Sequence, residues 1–470
     1  MEKLPDYLTQ LMETLPEPIK PVVTTPTPNE QIVLHEGFMS LLVHNDRSVR
    51  GRGAIFLNWM PKPSLWYQVE IDEKNRELFS PYDAQGLHAE IKFDAFPNTV
   101  ESVHLTPFCI MGLLQSNLHG RFKQGFAHGA DLSLATVVFH VANCTPFLGS
   151  GTAVVIQSEE GYTFNATNGR CQFTVQGWNV VIDRTEQYKD ILEQMEENPG
   201  FGLTHVGRLE KQDGSTFSGE SAMTFLENLS YLLSFCSSRW SAAMLAFGYG
   251  TDDISGSPAW INWAVGRVDL WKEQRSWFPR TDERALARIA PGFLDKMADP
   301  LWTKPLRTAT NWYLEATSPG TMDSGIVLSQ VGLELLAWTH LVHATKAFSK
   351  NKFDAMYAQD KITALLEECK VSINIPQTYV SLVQYAASNN KTTGPDITAK
   401  MRNALVHGSD IEKYLGVGGD VRFETWDLGL RYLELTLMWL SQYQGQYVNR
   451  SSPVPSTTAY EMVPWAPGGK

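Results

Sequence analysis

From about Gln31 to Val206 the chain alternates apolar and polar residues in short runs broken by Gly, Pro and Asn. Trp66-Tyr67-Gln68-Val69-Glu70-Ile71, Ala135-Thr136-Val137-Val138-Phe139-His140 and Cys171-Gln172-Phe173-Thr174-Val175 are examples. A period of two places successive side chains on opposite faces of a strand, so this stretch predicts a sheet-rich unit, a sandwich or barrel. One helix is expected near 186–197, closed by Asn198-Pro199-Gly200. After the turn Gln212-Asp213-Gly214-Ser215, Ser218 is a good N-cap for a helix with Ala222, Phe225, Leu226, Leu229, Leu232, Leu233 and Cys236 at helical spacing. The section beyond Gly248, with Trp260, Trp263, Trp271 and Trp277, is assigned no element. It either adds strands to a sheet or bridges the two ends of the protein.

Past Ser318-Pro319-Gly320 the apolar period lengthens to that of a helix. Helices are predicted near 324–349, 354–371, 376–388, 396–407 and 424–443, and breaks this short describe a compact bundle. The expected fold class is multidomain α+β. A Pro-rich segment 1–30 leads into a β-rich domain 31–215, a mixed connecting region 216–320, an all-α bundle 321–446 and a disordered tail 447–470 rich in Ser, Pro and Gly.

Composition narrows the function. A chain of 470 residues exceeds what one core normally serves. A net charge of −12 argues against a protein that coats nucleic acid non-specifically, because neutralising phosphate needs a basic stripe. Between Met322 and Arg450, however, 12 Lys+Arg meet 13 Asp+Glu, so the C-terminal third repels a polyanion least. Five cysteines with no C-x-x-C pair fit reduced thiols and supply no zinc framework. The first residues start no basic-then-apolar signal sequence. The apolar stretches Leu226–Phe247 and Ile326–Ala344 carry too many polar groups for lipid. The expectation is a cytoplasmic protein with no membrane partner, no cofactor and no metal.

The chemistry centres on Arg402-Asn403-Ala404-Leu405-Val406-His407. Pro395-Asp396 start a helix that Gly408 stops, and Ser409-Asp410-Ile411-Glu412 is a capping box for the next one. His407 is therefore expected at a helix C-terminus, on the face of Asn403, with Arg402 about 140° around the axis. Metal-free RNA cleavage needs a base for the 2′-hydroxyl, an acid for the leaving 5′-oxygen and positive charge on the phosphorane. Histidine exchanges protons near neutral pH, and a guanidinium grips two phosphate oxygens. Against this, Arg and His five apart arise often by chance: Arg402 would then pair with an acid and His407 merely cap the helix.

The segment from Gly325 to about Gln444 resembles a HEPN domain of the kind found in ApeA-like bacterial phage-defence proteins. The resemblance rests on Arg402–Gly408 and on the helix Leu328–Trp338. It implies that Arg402 and His407 are the catalytic pair, that Asn403 orders them, and that Glu334 faces the same cleft; a structural salt bridge is the other reading of Glu334. It further implies a homodimer or larger even-numbered oligomer, an RNA substrate such as tRNA, and a phage-derived trigger acting on a sensing or regulatory N-terminal part. The implied activity is a metal-independent endoribonuclease; the alternative is a non-catalytic HEPN dimerisation scaffold or binding protein.

Other constellations are read as structural. His340 and His343 lie three apart without a third ligand, and Gly416-Val417-Gly418-Gly419 has no following Lys-Ser/Thr. Gly149-Ser150-Gly151 lacks the spacing of a hydrolase elbow. Trp426, Tyr432 and Trp439 are expected in the core or at a dimer contact.

Overall fold

The computed structural model describes residues 14–467 except 26, 44–46, 71–87, 107–108, 111–112, 115–116, 130–131, 159–160, 252–255, 319–321, 409–410 and 453–458. The N-terminal half is β-rich and the C-terminal part helical. Strands β1 (Ile32–Val43), β2 (Arg47–Asn58), β3 (Ser64–Glu70), β4 (His88–Phe93), β5 (Phe96–Thr106) and β8 (Asn117–Phe122) close into a barrel ordered β1-β2-β3-β8-β5-β4, with the hairpin β6 (Cys109–Ile110) and β7 (Leu113–Leu114) between β5 and β8. The alternation that predicts β3 is real: Leu65, Tyr67 and Val69 are buried while Gln68 and Glu70 are exposed.

A second unit follows. Strands β9 (Ala127–His128), β11 (Thr136–Ala142), β12 (Ser150–Ser158), β13 (Gly161–Val175), β14 (Trp178–Arg184), β15 (Leu203–Lys211), β17 (Ala242–Tyr249) and β18 (Trp260–Asn262) form one sheet ordered β12-β13-β14-β15-β11-β17-β18-β9. The short β10 (Ser133–Leu134) and β16 (Phe217–Ser218) pair beside it. This sheet lies between the barrel and the helices. Along β11, Val137, Phe139 and Val141 join the helical core, whereas Val138 and Ala142 join the barrel's cluster. A strand covered on both faces reads as one apolar run, which is why Ala242–Tyr249 showed no alternation. The expected boundary at 215 is thus overturned: β17 and β18, beyond it, are inner strands of this sheet, and the Trp-rich section does add strands.

Helix α1 (Tyr188–Glu197) lies beside β15. Helix α2 (Gly219–Ser237) begins with Ser218 Oγ accepting the Ser221 N–H at 3.2 Å, as the N-cap reading expects. Helices α3 (Ala285–Ala298) and α4 (Thr303–Thr317) share one core with α5 (Met322–Ala337), α7 (Ala358–Glu368), α8 (Val380–Ser388), α9 (Gly394–Val406) and α11 (Gly419–Leu440), so 320 is not a boundary between cores. Helix α5 runs on as a π-helical segment, Trp338–Ala344, and α6 (Lys350–Asp354) and α10 (Ile411–Leu415) are short. Met322–Ala344 is long and apolar enough to cross a membrane by length and composition alone, but most of it is buried inside the protein. One of its polar side chains is bonded there: Gln330 Nε2 donates to Thr398 Oγ1 at 2.6 Å.

The tail is a second correction. Among the described residues past 446, β19 (Gln446–Val448) pairs with β20 (Tyr460–Met462), and Val448, Arg450, Val463 and Ala466 are buried. Arg450 Nε and Nη2 grip Glu434 Oε2 and Oε1 at 2.8 and 2.7 Å. Its Nη1 lies 3.5 Å from Asp427, which also takes the Tyr379 hydroxyl at 2.6 Å and Arg275 at 3.3 Å. Tyr313 donates to Glu434 at 2.6 Å. Composition argued for disorder; a buried ion pair with Glu434 on α11 decides otherwise.

The Pro-rich segment is also tied down. The Ala153 N–H donates to the Pro16 carbonyl at 3.1 Å and the Ile19 N–H to Asp183 at 2.8 Å. The Val22 and Val23 N–H groups donate to His140 Nε2 at 3.1 and 3.2 Å, while His140 Nδ1–H donates to the Leu245 carbonyl at 2.9 Å. Full burial pushes His140 down to about 4, the Leu245 carbonyl offsetting part. Unfolded histidine titrates near pH ~6.5, so between there and about 4 the unfolded chain takes up a proton that the folded chain refuses. Stability therefore falls as pH drops through this window, by about 3 kcal/mol from His140. His205, pushed to about 3 by burial and then by Arg184, acts in the same direction. Urea unfolding near pH 7 and near pH 4.5 should show His140→Gln losing less stability than wild type over that interval; equal losses would contradict the assignment.

Candidate active site at the end of helix α9

Thr393 opens α9: its Oγ1 accepts the Asp396 N–H at 3.2 Å and lies 2.9 Å from Asp396 Oδ2. The helix ends at Val406. His407 is the C-cap, with φ −105° and ψ 112°, and its N–H donates to the Asn403 carbonyl at 3.0 Å. Its side chain is exposed. The sequence places His407 at this end because Gly408 and the residues beyond continue no apolar period. The i to i−4 bond from its N–H keeps His407 in helical register with Asn403. Asn403 Oδ1 accepts the Arg402 Nη1–H at 3.1 Å. Arg402 is half-buried and its Nε is buried with no acceptor. The guanidinium is thus held on one side by Asn403 and keeps an unused donor. Ser409 and Asp410 of the expected capping box lie outside the described residues, and α10 follows at Ile411 with Glu412 in its first turn.

Glu334 is half-buried on α5 with Oε1 buried and unpartnered. Helices α5 and α9 run antiparallel: Gln330 meets Thr398, and Ile326 clusters with Met401. Arg402 lies one turn beyond Thr398 in one direction and Glu334 one turn beyond Gln330 in the other. At 1.5 Å per residue that separates them by about 12 Å along the axes. The structure bonds Arg402 to Asn403, sets His407 at the end of the same helix through its N–H to the Asn403 carbonyl, and carries Glu334 away along antiparallel α5.

Around the motif, Ile326, Met401, Tyr414 and Val417 form a small satellite core, and the Tyr414 hydroxyl donates to Asp323. Val406, Leu415 and Phe423 are 45%, 65% and 42% exposed, an apolar rim beside an exposed histidine. On the adjoining face a groove of about 620 Å³ is lined by Tyr357, Tyr385, Lys391, Lys400, Asn403 and Tyr414 among others. Of these, the sequence pointed only to Asn403. Asp396, Lys400 and Asn403 do stand at helical spacing, a polar stripe that marked the face.

His340 lies 3.9 Å from Glu368 and edge-on to Trp439, and His343 is exposed against Trp338. Among the described residues no three His, Cys, Asp or Glu side chains are grouped to hold a metal. Gly416–Gly419 joins α10 to α11, with Gly418 as N-cap. Ser150 opens β12, its hydroxyl donating to the Arg170 carbonyl at 3.3 Å. Trp426 donates to the Ala316 carbonyl at 2.8 Å, Tyr432 is fully buried, and Trp439 packs against the core.

Residues 129–274 match the family model described as YopA central domain, and residues 299–461 match the one described as YopA C-terminal domain. The barrel lies outside both, and Arg402, Asn403 and His407 lie inside the second. No solved structure matches the chain. The SPbeta prophage-derived uncharacterized protein YopA of Bacillus subtilis (strain 168) is 26% identical over 441 residues, 93% of this chain and 95% of that protein, so the similarity extends over the barrel as well as the two matched domains.

Proposed function

We propose that the helical unit is a metal-independent endoribonuclease of the HEPN type, working through Arg402 and His407, with Asn403 as a positioning residue. The observation that carries this reading is the half-buried Arg402, bonded to Asn403 and left with an unpartnered Nε, five residues before an exposed His407 at a helix end. The guanidinium would bind the scissile phosphate, and the imidazole would exchange the 2′-hydroxyl or 5′-oxygen proton. One chain supplies one Arg–His pair, so a second copy related by a two-fold axis would complete the site, and the exposed Val406, Leu415 and Phe423 give that contact apolar area. The groove with Tyr357, Lys391 and Lys400 would take the flanking strand by stacking and phosphate contact. On this reading the barrel and central sheet regulate the nuclease, and the setting is conflict between phage and host; the prophage-derived origin printed for the Bacillus relative suits it. The apolar rim favours a second reading, in which the helical unit only dimerises. Purified protein incubated with tRNA and total RNA in EDTA, beside His407→Ala, decides between them. Cleavage lost in the variant supports the nuclease; intact RNA with a stable dimer supports the scaffold.

A further inference from the structure

The loop 143–148 between β11 and β12 is surrounded by arginines whose donors are not all used. Arg239, directly after α2, is 1% exposed. Its Nη2 donates to the Asn143 carbonyl at 3.0 Å, and its guanidinium lies 3.9 Å from the Trp271 ring centre. Its Nε and Nη1 are buried and face no acceptor. Arg184, at the end of β14, donates to the Phe147 carbonyl and sits 4.7 Å over the Tyr188 ring, with its Nε also buried and unpartnered. The Arg280 carbonyl accepts the Leu148 N–H at 3.0 Å, and its side-chain charge acts on both Arg239 and Tyr188.

Three more polar atoms in this neighbourhood are buried without a partner: Tyr188 Oη, Thr145 Oγ1 and His205 Nε2. The His205 ring stacks on Phe147 at 4.8 Å and meets Tyr188 edge-on at 5.3 Å, which places them together. Two acids answer the three cations. Asp269 accepts the Trp240 N–H at 3.1 Å, and Glu273, 82% exposed, lies 3.6 Å from Arg280. Neither supplies an acceptor to the free N–H groups of Arg239.

An unpaired guanidinium N–H away from water is costly, and an excess of buried positive charge is costlier. Water can satisfy the N–H groups but leaves the charge. A tetrahedral oxyanion does both, because the guanidinium fork matches two of its oxygens while hydroxyl donors reach the others. We propose that Arg239, Arg184 and Arg280, with Tyr188 and Thr145, form a binding site for a phosphate group in the central unit. Arg184 and Arg280 are partly exposed and form its mouth; Arg239 is its floor. Burial holds Arg239 down to about 10, still charged at neutral pH, and a bound anion would raise it. The site is built by the second unit and does not depend on the ribonuclease reading.

Thermal unfolding of the full chain tests this, with inorganic phosphate or a nucleoside 5′-monophosphate titrated at constant ionic strength against chloride. Binding to the folded state alone should raise Tm by about 1–2 °C for each tenfold rise in ligand above its Kd. A rise with either probe supports the site, and the probe that acts at the lower concentration tells whether the phosphate group arrives free or on a nucleoside. Arg239→Met should abolish the rise. Arg184→Gln, at the mouth and less exposed to misfolding, should shift it to at least tenfold higher ligand. A Tm indifferent to both probes, or a rise undiminished in both variants, overturns the proposal and leaves water as the partner of these donors.

Discussion

Arg450→Ala should lower the free energy of unfolding by about 3–5 kcal/mol, the cost typical of leaving one partner of a buried ion pair alone. Glu434 and Asp427 are 2% and 0% exposed and would lose their bidentate and third contacts to the guanidinium. Burial disfavours the Arg450 charge, yet Glu434 with its hydrogen bonds, Tyr313 and Asp427 hold it well above the ordinary arginine range. The same side chain donates to the Arg275 carbonyl, and Arg275 donates to the Arg450 carbonyl, so the segment after β19 is tied to the chain before α3. Replacing both partners, as in Arg450→Met with Glu434→Leu, should cost less than either single change, since no charge is stranded. Urea unfolding of the four proteins gives the coupling directly. Additive losses would mean that the pair is not the fastening.

Arg402→Ala should reduce RNA cleavage by about 10²–10³-fold, the usual cost of removing one stabiliser of transition-state charge. Arg402→Lys should recover little, because a point charge cannot span two phosphate oxygens in the planar fork of a guanidinium. Asn403 touches Arg402 and is assigned no contact with the reacting atoms, so Asn403→Ala should lose less than Arg402→Ala and should leave the pH profile of cleavage unshifted. Glu334→Gln should leave cleavage near wild type, since antiparallel α5 carries Glu334 away from Arg402. Single-turnover rates on one labelled RNA separate these four. A loss with Glu334→Gln as large as with Arg402→Ala would return Glu334 to the site.

How much of this was legible depends on the range of the forces involved. The C-terminal helices follow a local period, and α9 begins and ends where Pro395 and Gly408 indicate. β17 did not follow a local signal, because both its faces are covered by parts of the chain that sequence does not place beside it. The tail read as disordered because its own residues build no core; Arg450 finds Glu434 only after folding. Within the site, the hydrogen bond from Arg402 to Asn403 joins adjacent residues, and no spacing rule predicts it. The arginines around 143–148 come from positions 184, 239 and 280, too far apart for any spacing rule.

The most direct test of the central claim is the chemistry of the cut itself. Wild-type protein and His407→Ala are incubated with RNA in EDTA, and the product ends are identified. The account predicts 2′,3′-cyclic phosphate and 5′-hydroxyl ends that form without metal and vanish in the variant. Cleavage that needs a divalent ion, that leaves 5′-phosphate ends, or that persists in His407→Ala would contradict it.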